Sequence, residues 1–158
     1  MARKLAEATG GDWLDSDTFH SSANIAKMSA GIPLTDEDRW PWLDRLNAEL
    51  RRFDSGNKPF FLACSALKQK HRDRLTAGLT EVQFVYLKGS FELIQTRLQH
   101  RANHFMPARL LQSQFAALEE PKDALVLDIS RTEEEMVEDF KRELAGQGSR
   151  HRSTRRSE

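Results

Sequence analysis

The sequence predicts an α/β protein in three layers, with helices on both faces of a mostly parallel sheet. Short apolar runs alternate with longer amphipathic stretches along most of the chain, the pattern of strands linked by crossover helices. One run, Pro59-Phe60-Phe61-Leu62-Ala63-Cys64, is apolar without alternation, as suits a strand buried on both faces. Chemistry-bearing residues also sit directly after the strands: Asp15 and Asp17 after the first, Ser65 and Lys68 after the second, Lys88 after the third. Open parallel sheets carry their sites at that end.

Each element has a local reason. Met1 to Ala8 is rich in helix formers, and Gly10-Gly11 ends the helix. Asp12-Trp13-Leu14 is a short strand, and Asp15-Ser16-Asp17 is a polar turn. A helix over Ala23 to Ala30 is stopped by Gly31 and Pro33. Thr35 caps the next helix, Asp36-Glu37-Asp38 complements its dipole, and it runs to about Phe53 before Asp54-Ser55-Gly56-Asn57. After the apolar second strand, Ser65 caps a helix through Leu75. Val82 to Leu87 is the third strand, followed by helices over Phe91 to Arg101 and Ala108 to Leu118. Ala124 to Asp128 is the fourth strand, and Glu133 to Leu144 is an amphipathic helix. From Gly146 the chain turns to Gly, Ser, Arg and His, which reads as a disordered basic tail over 146–158 behind one domain over 1–145.

Composition narrows the function. With 158 residues the chain is sized for one core, and 24 Lys and Arg balance 24 Asp and Glu. That balance argues against a nucleic-acid binder, and the basic tail has no interleaved aromatic residue. No apolar run approaches the ~20 residues that span a bilayer. A single cysteine, Cys64, and the lack of a secretory leader point to the cytoplasm. The five histidines show no metal-ligand spacing.

Three constellations carry chemistry. In the first, Asp15 and Asp17 stand one residue apart at a strand end, with His20, Asn24 and Lys27 following. Such a pair can hold a hydroxyl and a metal-bound water, or it can simply cap a turn. In the second, Lys68, Arg72 and Asp73 lie on neighbouring helical turns, where cations can hold a carboxylate or phosphate or make a solvated ion network. In the third, Arg97 and Arg101 share a helix face that leads into a polar break containing His104. A mobile cationic lid would look like this, and so would an exposed basic helix. Cys64, inside the apolar strand, reads as a core thiol, and Trp40-Pro41-Trp42 reads as core packing.

Taken in order, these segments resemble the gluconokinase family. The resemblance rests on Asp15-Ser16-Asp17 with His20, Asn24 and Lys27-Met28, on Gly31-Ile32-Pro33-Leu34-Thr35-Asp36-Glu37-Asp38-Arg39 with Pro41-Trp42-Leu43, and on Cys64-Ser65-Ala66-Leu67-Lys68 with Arg72-Asp73. It continues through Tyr86-Leu87-Lys88-Gly89, Arg97-Leu98, Arg101, His104-Phe105-Met106 and Leu110 to Glu119. It implies an adenylate-kinase-like P-loop kinase fold and transfer of the γ-phosphoryl of ATP to D-gluconate with Mg²⁺. It suggests a homodimer. It also implies roles: Asp17 orients or deprotonates the hydroxyl, and Asp15 assists or holds Mg²⁺ through water. His20, Lys27, Lys68 and Arg72 would contact gluconate, while Arg97, Arg101 and His104 would cover ATP. The chain departs from the family at Ser16, Ser21 and His71. It departs more deeply in lacking any G-x-x-x-x-G-K-[ST] run. Met1 falls inside the helix that such a loop would open, so the expectation is a kinase body whose central first strand and phosphate loop are missing, inactive as it stands. A start placed too late, a non-catalytic truncated form and a related small-molecule kinase of shikimate type remain alternatives.

Overall fold

The computed structural model describes residues 1–54, 56, 58–100 and 109–154. Seven helices and four strands alternate along them. The order is α1 (Ala2–Thr9), β1 (Asp12–Asp15), a 3-10 turn (Ser16–Phe19), α2 (Ser22–Ser29), α3 (Asp36–Phe53), β2 (Phe60–Ala63) and α4 (Gln69–Thr76). Then come β3 (Phe84–Lys88), α5 (Phe91–Gln99), α6 (Arg109–Ala117), β4 (Ala124–Asp128) and α7 (Glu133–Thr154).

The strands form two parallel pairs. β1 lies beside β2 with Asp12 opposite Phe60 and Asp15 opposite Ala63. β3 lies beside β4 with Phe84 opposite Ala124 and Lys88 opposite Asp128. No ladder joins β2 to β3 among the described residues. The two pairs nevertheless share a core. Phe61 of β2 and Val85 of β3 both pack against a cluster of Leu5 from α1, Leu125 and Leu127 from β4, and Met136 and Phe140 from α7. Lys4 of α1 adds ion pairs to Glu133 (2.5 Å) and Glu134 (3.1 Å) of α7.

The uniform apolarity of β2 now has its cause. Phe61 faces that cluster, while Leu62 and the following Cys64 face a second one of Trp42, Leu43, Leu46 and Leu75. Alternate residues of a strand point to opposite faces, so a strand between two cores needs both sets apolar. Two adjacent glycines set the entry to β1. Gly10 takes φ 69° to end α1. A Cβ on Gly11 would stand 2.3 Å from the Pro59 carbonyl oxygen, so only glycine lets β1 start this close to β2.

Three boundaries differ from the sequence reading. The helix expected from Ser65 begins at Gln69, leaving 65–68 as a loop. The third strand starts at Phe84, where pairing with Ala124 begins. The α7 backbone stays helical to Thr154, past Gly146 where the tail was expected to start. A glycine inside a helix costs only ~1 kcal/mol, less than the propagation a long helix already supports.

Candidate active site

The site grows from the carboxyl ends of β1 and β2. At the end of β1 the Asp15 carboxylate accepts the Asp17 amide (3.0 Å), and the Thr18 hydroxyl donates to the Asp15 carbonyl (2.7 Å). These bonds fold the 3-10 turn and leave Asp17 half-buried. The turn is pinned from α3: the Trp42 indole N–H donates to the buried Ser16 carbonyl at 2.9 Å. His20 stacks on the same indole, with ring centroids 4.3 Å apart and planes 14° apart. Arg45 donates to the Phe19 carbonyl.

After β2, residues 65–68 are held in a loop by Arg72. Arg72 is 4% exposed. It donates to the carbonyls of Ala66 and Leu67 (both 3.1 Å) and to Gln69 Oε1 (2.9 Å). Those bonds take the carbonyls that an earlier helix start would have used. The end of α6 is tied to the same loop: Glu119 N–H donates to the Leu67 carbonyl (2.9 Å), and the Glu119 carboxylate accepts the Gln69 amide (2.6 Å).

Between this loop, α2, α3 and α6 lies a small cavity of about 70 Å³, lined among others by Met28, Asp36, Arg39, Lys68, His71 and Gln114. Asp36 is its charge centre. Its carboxylate accepts from Lys68 Nζ (3.1 Å), Lys70 Nζ and His71 Nε2 (2.8 Å). Lys70, then His71 and Lys68, hold it well below the usual carboxylate range. Burial pulls His71 down against the opposing pull of Asp36. A neutral His71 facing an ionised carboxylate must carry its proton on Nε2.

The second engaged carboxylate in the first turn of α3 is Asp38. It closes a capping box with Thr35 and accepts from Lys27 Nζ at 2.6 and 2.8 Å. Lys27 first, then the Thr35 amide, lower its pKa. Burial, with Arg39 and Arg45 nearby, depresses His20 to about 4, so its imidazole is neutral at pH 7. Burial pushes the Cys64 thiol up to about 12, which fits a core thiol and no nucleophile. The thiol also senses Asp17 and Arg39 with opposite sign, placing both groups around the same strand end.

The structure thus brings together Asp15, Asp17, His20, Lys27, Lys68 and Arg72 around one end of β1 and β2. Lys27 and Lys68 are engaged by carboxylates, and Arg72 by backbone carbonyls. Arg97 lies apart, donating to the Ile129 carbonyl at 2.5 Å beyond β4. Arg101 and His104 lie outside the described residues. Sequence reasoning missed Arg39, which is 8% exposed and lines the cavity.

Asp15 can offer Mg²⁺ one carboxylate oxygen, its other being held by the Asp17 amide. No group of three or more potential metal ligands converges among the described residues. The sequence holds no G-x-x-x-x-G-K-[ST] run of the kind that cradles the phosphates of a nucleotide. The arrangement therefore suits the acceptor of a phosphoryl group, and the residues present do not fit the donor.

The fold is that of a small sugar kinase. A sugar kinase from Janibacter sp. HTCC2649 superposes with a TM-score of 0.79 at 45% identity, over 87% of this chain and 81% of that one. A gluconokinase from Sinorhizobium meliloti 1021 superposes with a TM-score of 0.82 at 37% identity, over 97% and 87%. The thermosensitive gluconokinase of Escherichia coli K12 is 45% identical over 134 residues, covering 82% of this chain and 72% of that protein. The Arabidopsis thaliana gluconokinase is 39% identical over 143 residues, covering 82% and 76%. No protein-family model matches. The chain belongs to the gluconokinase family.

Proposed function

We propose that the chain supplies the acceptor half of an ATP-dependent D-gluconate kinase, forming 6-phospho-D-gluconate. The observation that carries this reading is the Asp15-Ser16-Asp17 turn at the end of β1, pinned by Trp42 of α3, the helix whose Asp36 and Arg39 line the cavity. In the reaction the 6-hydroxyl oxygen of gluconate bonds to the γ-phosphorus. The bond from that phosphorus to the β,γ-bridging oxygen breaks, and ADP leaves. Asp17 orients the hydroxyl and takes its proton. Asp15 holds the turn through the Asp17 amide and has one oxygen left for Mg²⁺. The metal, when bound, neutralises charge on the phosphates. Asp36 keeps Lys68 and His71 fixed at the cavity wall. The location this reading supports is cytoplasmic; among the described residues no helix is long and apolar enough to cross a membrane.

Isothermal titration of the 158-residue chain tests the acceptor half. D-gluconate is expected to give a binding heat, and ATP with Mg²⁺ none. A chain that takes ATP and ignores gluconate overturns the reading. In the assembled kinase, with a phosphate-binding loop in place, Asp17→Asn is expected to lower kcat by about 10²–10⁴-fold. Unchanged turnover would remove Asp17 from the chemistry.

A further inference from the structure

We propose that Arg39 is the group that reads the acid end of the acceptor, binding its carboxylate and setting the preference for an aldonic acid over the uncharged polyol of the same length. The proposal rests on the gluconate reading and names the residue behind its selectivity.

Most cations on α2, α3, α4 and the loop after β2 are already engaged. Lys27 is held by Asp38, Lys68 and Lys70 by Asp36, and Arg72 by the Ala66 and Leu67 carbonyls. Arg39 differs from all of them. It sits in the second turn of α3, lines the cavity and is 8% exposed. Among the described residues its guanidinium makes no hydrogen bond and no ion pair; its one close partner is the Trp42 ring, with its central carbon 6.0 Å from the centroid. A buried charge without a counter-ion is costly, and folded proteins normally pair it.

Among the described residues no carboxylate forms an ion pair with that charge. The carboxylates of Asp36 and Asp38 act on Arg39 through space, but their oxygens are engaged by Lys68, Lys70, His71, Lys27 and Thr35. His20 and His71 nearby are kept neutral by burial, and the Cys64 thiol keeps its proton. One positive charge therefore faces the cavity with its planar fork of donors unused. That fork matches a carboxylate through two parallel hydrogen bonds, which a lysine cannot reproduce. Stacking on Trp42, itself fixed to Ser16, ties the anchor to the turn that carries Asp17. The acid end and the reacting hydroxyl of one ligand are thus positioned by the same indole.

The test is calorimetric titration of the 158-residue chain and its Arg39→Gln and Arg39→Lys variants with D-gluconate and with D-glucitol, its uncharged counterpart. Urea unfolding of each variant checks the fold. Gluconate should bind the parent more tightly than glucitol. Arg39→Gln should weaken gluconate by about 10–100-fold, the worth of a lost charge-assisted hydrogen bond, and leave glucitol unchanged. Arg39→Lys should recover only part of the loss. Arg39→Gln that keeps gluconate affinity, or that weakens both ligands equally with the fold intact, overturns the role of Arg39 while leaving the gluconate reading standing. A parent that binds neither ligand overturns both.

Discussion

Lowering the pH should destabilise this protein through His20 before the depressed carboxylates of Asp36 and Asp38 are protonated. The imidazole is 8% exposed, stacked on Trp42 with Arg39 and Arg45 close by, and its pKa is pulled from 6.5 to about 4. The unfolded chain therefore binds a proton that the folded chain refuses between those two values. Stability is fully present above about pH 6.5, falls as pH drops toward 4, and levels off below. Each unit of depression is worth ~1.36 kcal/mol, so the ceiling is about 3 kcal/mol, of which about 2 kcal/mol is lost between pH ~7.5 and ~4.5. His71, also lowered by burial, adds loss below 6.5 in the same direction. Asp36 and Asp38 are depressed below their ordinary 3.8, so their contribution goes only at more acid pH. Urea unfolding at both pH values, for the parent and for His20→Phe, isolates the term. Phenylalanine keeps a ring on the indole and cannot titrate, so its stability should fall by about 2 kcal/mol less than the parent's. Equal losses in the two proteins, or an imidazole NMR titration of His20 centred near 6.5, would refute the reasoning.

Two further outcomes follow from the same hydrogen bonds. Arg72→Lys keeps the charge but strands the part-buried carbonyl of Ala66 and leaves that of Leu67 to Glu119 alone, and should cost about 1–3 kcal/mol in urea unfolding; a loss under ~0.5 kcal/mol would show that the loop does not depend on the guanidinium. Trp42→Phe removes the donor to the Ser16 carbonyl, and should cost about 1–3 kcal/mol together with a measurable loss of gluconate affinity by calorimetry; affinity that survives intact would detach the Asp17 turn from substrate positioning.

The strands and the capped start of α3 were legible because their signals are local. The apolar run of β2 needs only a strand between two cores, and Thr35 with Asp38 forms its box within one helical turn. The start of α4 was not legible, because what displaces it is Arg72 reaching back to the Ala66 and Leu67 carbonyls. In the site, Asp15 and Asp17 announced themselves by their spacing after a strand. The cations did not sort themselves. Lys27 and Arg72 look in sequence like free ligands for an anion, yet the fold gives one to Asp38 and the other to backbone oxygens. Arg39, directly after Asp36-Glu37-Asp38, looks like part of a surface ion network on α3. Only its burial beside Trp42, with those carboxylates taken by lysines, separates it from the rest.

The split sheet has a mechanical corollary. Because no ladder ties β2 to β3 among the described residues, the β1–β2 pair and the β3–β4 pair meet through side chains, with Phe61 against Phe140 of α7, ring centroids 5.8 Å apart, beside Leu5 and Leu127. Side-chain contacts are non-directional and tolerate small sliding, whereas a ladder shifts only in whole steps. The two pairs are therefore held to each other by side-chain packing, and the Glu119 bond to Leu67 ties the end of α6 to the loop after β2 that walls the cavity.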